Sequence, residues 1–234
     1  IGLDPIIHVS SIAAVLSPTV GAFISPQSPP TSLSIGAYTD SKTDQELFAR
    51  HLQSVGHPVV IVYPGAVMGP HDPHWGDGTR LIESILKNKV RLAVEGHIPI
   101  VDVRDVARLH SAILVPGLGP RRFMCSGTPI KISDLVALLA HQTERTIKCT
   151  TAPRWIVSMI VSLMDKCHGL FPFRLPVTSE GLTILKWRLQ FDNSASMGCF
   201  GMKMTDLSTT MYDMVRWMYF TGRISDKVAG VLAQ

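Results

Sequence analysis

The most constraining stretch is Val59-Val60-Ile61-Val62-Tyr63, five apolar residues in a row behind Pro58. A strand with one wet face alternates apolar and polar residues. An unbroken, β-branched run belongs to a strand covered on both faces, as in a parallel sheet. Parallel strands need a crossover, usually a helix. Upstream, Tyr38 to Val55 reads as that helix, with Leu47, Phe48, Leu52 and Val55 as its buried stripe and Gly56 as its stop. Before it, Pro5-Ile6-Ile7-His8-Val9-Ser10-Ser11 reads as a second short strand ending in two hydroxyls. Strand, helix, strand is a βαβ crossover, which makes the expected fold class α/β.

In open α/β sheets, ligands bind in the crevice beyond the C-terminal ends of the strands. Two stretches fall there. One is Ser10-Ser11; the other is the rigid bend Pro64-Gly65-Ala66-Val67-Met68-Gly69-Pro70. Between the serines and the helix, Ala13 to Ser34 is rich in Ser and Pro and reads as a loop bordering a substrate pocket.

Further along, Leu81 to Lys87 reads as a helix, and Leu92 to Val94 and Ile98 to Val101 as short strands. Asp102 or Asp105 caps a helix running to Val115, and Arg104 pairs with an acid or, as the alternative, guides an anionic cofactor. Phe123-Met124-Cys125 reads as a strand, and Ser133 opens a helix with the stripe Leu135, Val136, Leu138 and Leu139. In the last third, Trp155 to Met164 reads as a core or interfacial helix, too short to span a bilayer. A Pro-broken stretch (Pro172, Pro176), a polar loop at Asp192-Asn193-Ser194 and a final helix from Leu207 to Tyr219 follow. Met204, Met211, Met214 and Met218 fall at helical spacing and read as core, with contact to a lipid-like ligand as the alternative.

Composition bounds the function. With 46% hydrophobic and 17% charged residues, the 234-residue chain has a substantial core. A net charge of +4 without Lys/Arg clusters interleaved with aromatics argues against nucleic acid. A mean hydropathy of +0.23 and a pI near 9.0 suit an anionic cofactor and peripheral contact with lipid headgroups. Cys125, Cys149, Cys167 and Cys199 form no CxxC pair and read as reduced, which favours the cytoplasm. His71-Asp72-Pro73-His74 has two metal-type ligands but no obvious third, so no metal is expected.

The chemistry centres on Tyr38-Thr39-Asp40-Ser41-Lys42. Residues four apart share a helix face, so a phenol and an ammonium here point the same way. A phenol is a poor base at neutral pH, with an ordinary pKa of about 10, and a nearby cation favours the phenolate. A tyrosine so poised can exchange a proton with a substrate oxygen.

Ser10-Ser11, Tyr38-xxx-Lys42, the Tyr63-Pro64-Gly65-Ala66-Val67-Met68-Gly69-Pro70 bend and Val101-Asp102-Val103-Arg104-Asp105-Val106-Ala107, in that order, resemble the extended short-chain dehydrogenases/reductases. The likeness covers about residues 6 to 125 and is nearest to the dihydroflavonol-reductase-like and 3β-hydroxysteroid-dehydrogenase-like members, grouped with the NAD-dependent epimerases and dehydratases. It implies the C-terminal part of a Rossmann-like, doubly wound parallel sheet plus a small, mostly helical substrate-binding region. Residues 1–125 would form the partial catalytic domain and residues 126–234 the substrate region.

The resemblance implies residue roles as well. Tyr38 is the proton donor or acceptor, and Lys42 supports it and holds the nicotinamide ribose. Ser11, with Ser10 as the alternative, hydrogen-bonds the substrate carbonyl. Pro64, Gly65 and Val67 wall the nicotinamide of NAD or NADP. The expected activity is interconversion of a ketone and a secondary alcohol on a hydrophobic, steroid- or flavonoid-like substrate. Two alternatives stand beside it. One is a nucleotide-sugar epimerase or dehydratase, with Arg80, Arg121 and Arg122 available for phosphate; the other is a non-catalytic, truncated chain. The family's glycine-rich turn, GxGxxG after a strand, has no counterpart in the sequence. The chain therefore looks like the catalytic and substrate-binding half of such an enzyme. A homodimer packed through the tyrosine helix is expected by analogy.

Overall fold

The structure, a computed structural model, describes residues 2–90, 92–153, 155–159, 179–185, 187–201 and 203–233. Its contacts divide the chain into two units. The first comprises Ile1–Val67, Pro99–Pro129 and Trp187–Thr205; the second comprises Met68–Ile98, Ile130–Lys186 and Asp206–Gln234. The sequence reading divides the chain once, after residue 125, whereas these units interleave. The physical reason lies within the first unit, to which residues 187–205 return and add a strand and a helix.

In the first unit, β1 (Ile6–Val9), β3 (Val59–Pro64) and β7 (Arg121–Cys125) form a parallel sheet in the order β1-β3-β7. Ile6 pairs with Val59 and Val9 with Val62; Val60 pairs with Arg121 and Pro64 with Cys125. The central strand is buried along its whole length, as its unbroken apolar run predicts. Behind the sheet, Val60, Val62, Val101, Leu109, Ile113, Phe123 and Cys125 form one apolar cluster, against which Ile7, Val106, Ala195 and Met204 pack. Burial, with Asp105 adding to it, pushes the Cys125 thiol up to about 12, so this cysteine is an inert core residue.

The expected loop opens with a buried 3-10 turn, Ile12–Val15, and contains a short strand, β2 (Phe23–Ile24). β2 pairs in parallel with β10 (Gln190–Phe191), a partner more than 160 residues away that no local pattern announces. α1 (Ala37–Ser54) is the crossover helix, beginning one residue before the expected start. Its buried stripe is a correction to the sequence reading. Leu47, Phe48 and Val55 are exposed, and the buried residues are Thr39, Glu46, Ala49 and Gln53. The polar face turns inward because tertiary partners satisfy it, as the site below shows.

α3 (Val103–Ile113) starts at Asp102, whose carboxylate accepts from the Arg104 N–H at 2.7 Å and pairs with its guanidinium at 2.7 Å. α6 (Ser194–Phe200) follows Asn193, whose Oδ1 accepts from the Ser126 N–H at 2.9 Å.

The second unit contains α2 (Asp77–Leu86), α4 (Ile132–Thr143), α5 (Ser179–Leu185), α7 (Leu207–Phe220), α8 (Asp226–Ala229) and the pair β5 (Leu92–Ala93) and β9 (Thr150–Thr151). Met211, Met214 and Met218 are fully buried, the core stripe expected of the final helix. α2 begins four residues earlier than the apolar pattern shows, because Asp72 organises the loop before it. Its carboxylate accepts from the N–H of His74 and Gly76 and from Thr79 Oγ1. A further three-stranded sheet has the order β4 (Ala66–Met68), β6 (His97–Asp102) and β8 (Thr128–Lys131). Most of the expected helix Trp155 to Met164, Pro172, Pro176 and Cys167 lie outside the described residues. Among those described, no helix is long and apolar enough to cross a membrane.

Candidate active site

The site grows from the C-terminal end of β1. The Ser10 N–H donates to the Val62 carbonyl at 2.9 Å, which completes the pairing of β1 with β3 and leaves the serine side chains beyond the strand. Both serines are buried. Ser10 Oγ donates to Glu46 Oε2 at 2.9 Å, so its proton is committed to α1. Ser11 differs. It caps the 3-10 turn, and its Oγ accepts from the Ala13 N–H at 3.1 Å. A hydroxyl that accepts in this way keeps its own proton for a ligand oxygen.

Glu46 is fully buried in the middle of α1 and is the hub of the region. Its second oxygen accepts from Tyr63 Oη at 2.6 Å and from Arg50 Nε at 2.6 Å. Arg50 also donates to the Ser28 carbonyl at 2.8 Å and to Tyr63 Oη at 3.3 Å. One carboxylate thus joins the ends of β1 and β3, the tyrosine helix and the loop that precedes it. A buried charge is tolerable only when paired and fully hydrogen-bonded, and this one has both a guanidinium and two hydroxyl donors. Burial, reinforced by the Glu46 charge and opposed by Arg50, pushes the Tyr63 phenol well above its ordinary value, which makes it a fixed donor. His8, inside β1, has its imidazole pushed below 6.5 by burial and by Lys42, against the pull of Glu46. Its Nε2 has no hydrogen-bond partner among the described residues.

Tyr38 and Lys42 occupy the opening turns of α1, two turns and one turn before Glu46 on the same side of the helix. Tyr38 is 54% exposed, and no described residue hydrogen-bonds its hydroxyl. Among the described residues the Lys42 ammonium reaches Gln45 Oε1 alone, at 3.5 Å. The structure therefore joins Ser10 to the tyrosine helix directly, whereas no hydrogen bond joins Tyr38 or Lys42 to either serine.

Pro64 ends β3 and is buried, while Val67 is 41% exposed. Gly65 is demanded by its neighbours: a Cβ there would lie 2.2 Å from the Ser126 carbonyl oxygen and 2.6 Å from that of Pro99. The expected wall residues thus divide into a packed backbone corner and one open side chain. This corner and the Tyr38–Lys42 turn are the parts that the sequence resemblance assigns to the nicotinamide and ribose of a dinucleotide. Among the described residues there is no glycine-rich strand–turn–helix for its pyrophosphate.

Other candidates have structural duties. Burial raises the Asp72 carboxyl, but the bonds from Thr79, Gly76 and His74 outweigh it and hold the group below its ordinary value. The His71 ring lies 6.3 Å from that of Trp217. Among the described residues no group of three or more His, Cys, Asp or Glu is poised for a metal. Arg121 and Arg122 open β7 in register with Val60 and Ile61, at the strand ends away from the serines. Arg80 belongs to the second unit. Sequence reasoning missed Glu46, which has Lys42 and Arg50 four residues to either side and so looks like a solvated ion-pair face.

No family model matches the chain. A protein of Synechocystis sp. bearing the name dihydroflavonol 4-reductase is 25% identical over 229 residues, 95% of this chain and 66% of that protein. Sterol demethylase protein B of Methylococcus capsulatus is 24% identical over 230 residues, 95% of this chain and 69% of that protein. The chain thus spans about two thirds of the length of these relatives.

Among solved structures, that of gox2253 aligns with a TM-score of 0.72 at 23% identity, covering 96% of this chain and 68% of the other. UDP-glucuronic acid 4-epimerase from Bacillus cereus, solved with UDP-glucuronic acid and NAD, aligns with a TM-score of 0.66 at 16% identity, covering 94% and 63%. At these identities the structures establish the fold. Together with the serine-ended strand, the tyrosine helix and the parallel sheet, they make this chain similar to the NAD-dependent epimerases, dehydratases and reductases of the extended short-chain class.

Proposed function

We propose that the protein serves NAD(P)-dependent interconversion of a ketone and a secondary alcohol on a hydrophobic, ring-containing substrate. The observation that carries this reading is the Ser10–Glu46 hydrogen bond, which fastens the serine-ended strand to the helix bearing Tyr38 and Lys42. Ser10 is spent on that bond, so Ser11 is the hydroxyl that donates to the substrate oxygen. Tyr38, open at the head of α1, exchanges the proton at the same oxygen, and Lys42 holds the ribose. Pro64, Gly65 and Val67 border the nicotinamide, which when bound supplies or takes the hydride. A hydroxyl and a phenol converging on one oxygen stabilise the charge that develops there. The substrate class draws support from the names that the two relatives bear, dihydroflavonol 4-reductase and sterol demethylase protein B.

A second reading, a nucleotide-sugar epimerase or dehydratase with the same tyrosine chemistry, draws support from solved neighbours that hold UDP-sugars. The test is turnover of hydroxysteroids and dihydroflavonols against UDP-sugars, with NADH and NADPH. Tyr38→Phe should lower turnover by about 10²- to 10⁴-fold while leaving the fold and dinucleotide binding intact. Unchanged turnover in this variant overturns the assignment of Tyr38. Turnover confined to UDP-sugars reverses the order of the two readings.

A further inference from the structure

We propose that the first unit carries an anion site of its own, at the opposite ends of the strands from the serines, which takes a small phosphate-bearing ligand. A cleft of about 370 Å³ opens between the C-terminal half of α1 and the start of β7, lined by Arg50, Gln53, Ser54, Arg121 and Arg122 among others. Among the described residues that line it, none is acidic. Three guanidiniums in one cleft without a carboxylate among its walls invite an oxyanion, since the planar fork of arginine matches phosphate and carboxylate bidentately.

The guanidiniums are held in place by groups that leave most of their charge uncancelled. Arg121 donates Nη2 to the Val115 carbonyl at 3.1 Å and Nε to the Gly119 carbonyl at 3.4 Å. Arg122 donates Nε to Gln53 Oε1 at 2.7 Å. Gln53 is itself fixed, because its amide nitrogen donates to the Val59 carbonyl at 2.8 Å and the Arg121 carbonyl at 3.2 Å. Carbonyl and amide oxygens orient a cation without neutralising it. Among the described residues only Arg50 of the three has a counter-ion, Glu46.

The cleft therefore presents the charges of two arginines, and no described residue accepts a hydrogen bond from Nη1 of Arg50, Arg121 or Arg122, or from Nη2 of Arg122. A phosphate monoester, carrying about −1.5 to −2 at neutral pH with three acceptor oxygens, matches that charge better than a single carboxylate. This site is independent of the oxidoreductase reading, because it shares no residue with Tyr38, Lys42 and Ser11.

The test is calorimetric titration of the full chain with inorganic pyrophosphate, and flotation with vesicles of phosphatidylcholine containing phosphatidic acid. Saturable one-to-one pyrophosphate binding is expected, weakened about tenfold or more in Arg122→Gln, partly restored in Arg122→Lys and unaffected by Lys42→Gln. Arg121→Gln is the second probe; circular dichroism verifies that each variant is folded. The proposal is overturned by any of four results. These are no saturable binding to the folded chain, undiminished binding in both glutamine variants, loss of binding in Lys42→Gln, and vesicle binding without pyrophosphate binding.

Discussion

Glu46 in the first unit and Asp72 in the second are each the acceptor at the centre of a small network, and they are built on opposite plans. Asp72 gathers donors two, four and seven residues away along the chain, closing one loop and seating one helix. Glu46 gathers Arg50 four residues away, but also Tyr63 at 17 and Ser10 at 36. The first device is local and half open to solvent. The second is fully buried and holds two strand ends, a helix and a loop at one point. A local hub sets the shape of its own segment. A long-range hub sets the position of groups on different elements, and in this protein it fastens the serine-ended strand to the helix that carries Tyr38 and Lys42.

If that contrast is right, removing the two carboxylates has unequal consequences. Glu46→Ala should cost about 3–5 kcal/mol, because it strands the Arg50 charge and leaves two buried hydroxyls without their acceptor. Thermal or denaturant unfolding measures it, and a cost near that of a surface pair would dissolve the comparison. Turnover, where present, should fall as well, since Ser10 loses its tie to the tyrosine helix.

Asp72→Ala should cost only about 1 kcal/mol, the scale of a lost helix-start cap moderated by solvent. Its pH dependence sharpens the point. Because the Asp72 carboxyl is held below its ordinary value of 3.8, its contribution is complete above that value and is lost as the pH falls through the folded value. The stability gap between wild type and Asp72→Ala should therefore be constant at neutral pH and close in acid. A gap that widened on acidification would contradict the bonding seen around Asp72.

The smallest effect belongs to the outer face of α1. Phe48 is 64% exposed, and Phe48→Ser should change stability by no more than about 0.5 kcal/mol. A loss of several kcal/mol on unfolding would mean that the apolar face, not the polar one, is the buried side of this helix.

Much of the architecture was legible before any coordinates. The run Val59 to Tyr63 announced a strand covered on both faces, and it is buried throughout. The helix between two parallel strands, the Asp102 cap with its Arg104 partner and the methionine stripe of α7 also follow from local spacing. Helical and strand periods, caps and breakers act over a few residues, so the chain itself displays them.

The pairing of β2 with β10, the interleaving of the two units and the inward turn of the polar face of α1 were not legible. Leu47, Phe48 and Val55 sit at spacings that favour burial in a helix considered by itself. Only when Ser10, Tyr63 and Arg50 converge on Glu46 does the polar side become the better one to bury. The same holds for the two serines: the sequence placed both at the strand end, and the fold distinguished them, by committing Ser10 to Glu46 and Ser11 to its cap. Local pattern along the chain thus settled which segments become strands and helices and which proteins the chain resembles. Which polar groups satisfy one another came from the folded chain alone, because Ser10, Tyr63 and Glu46 are far apart in sequence and meet only once it has folded.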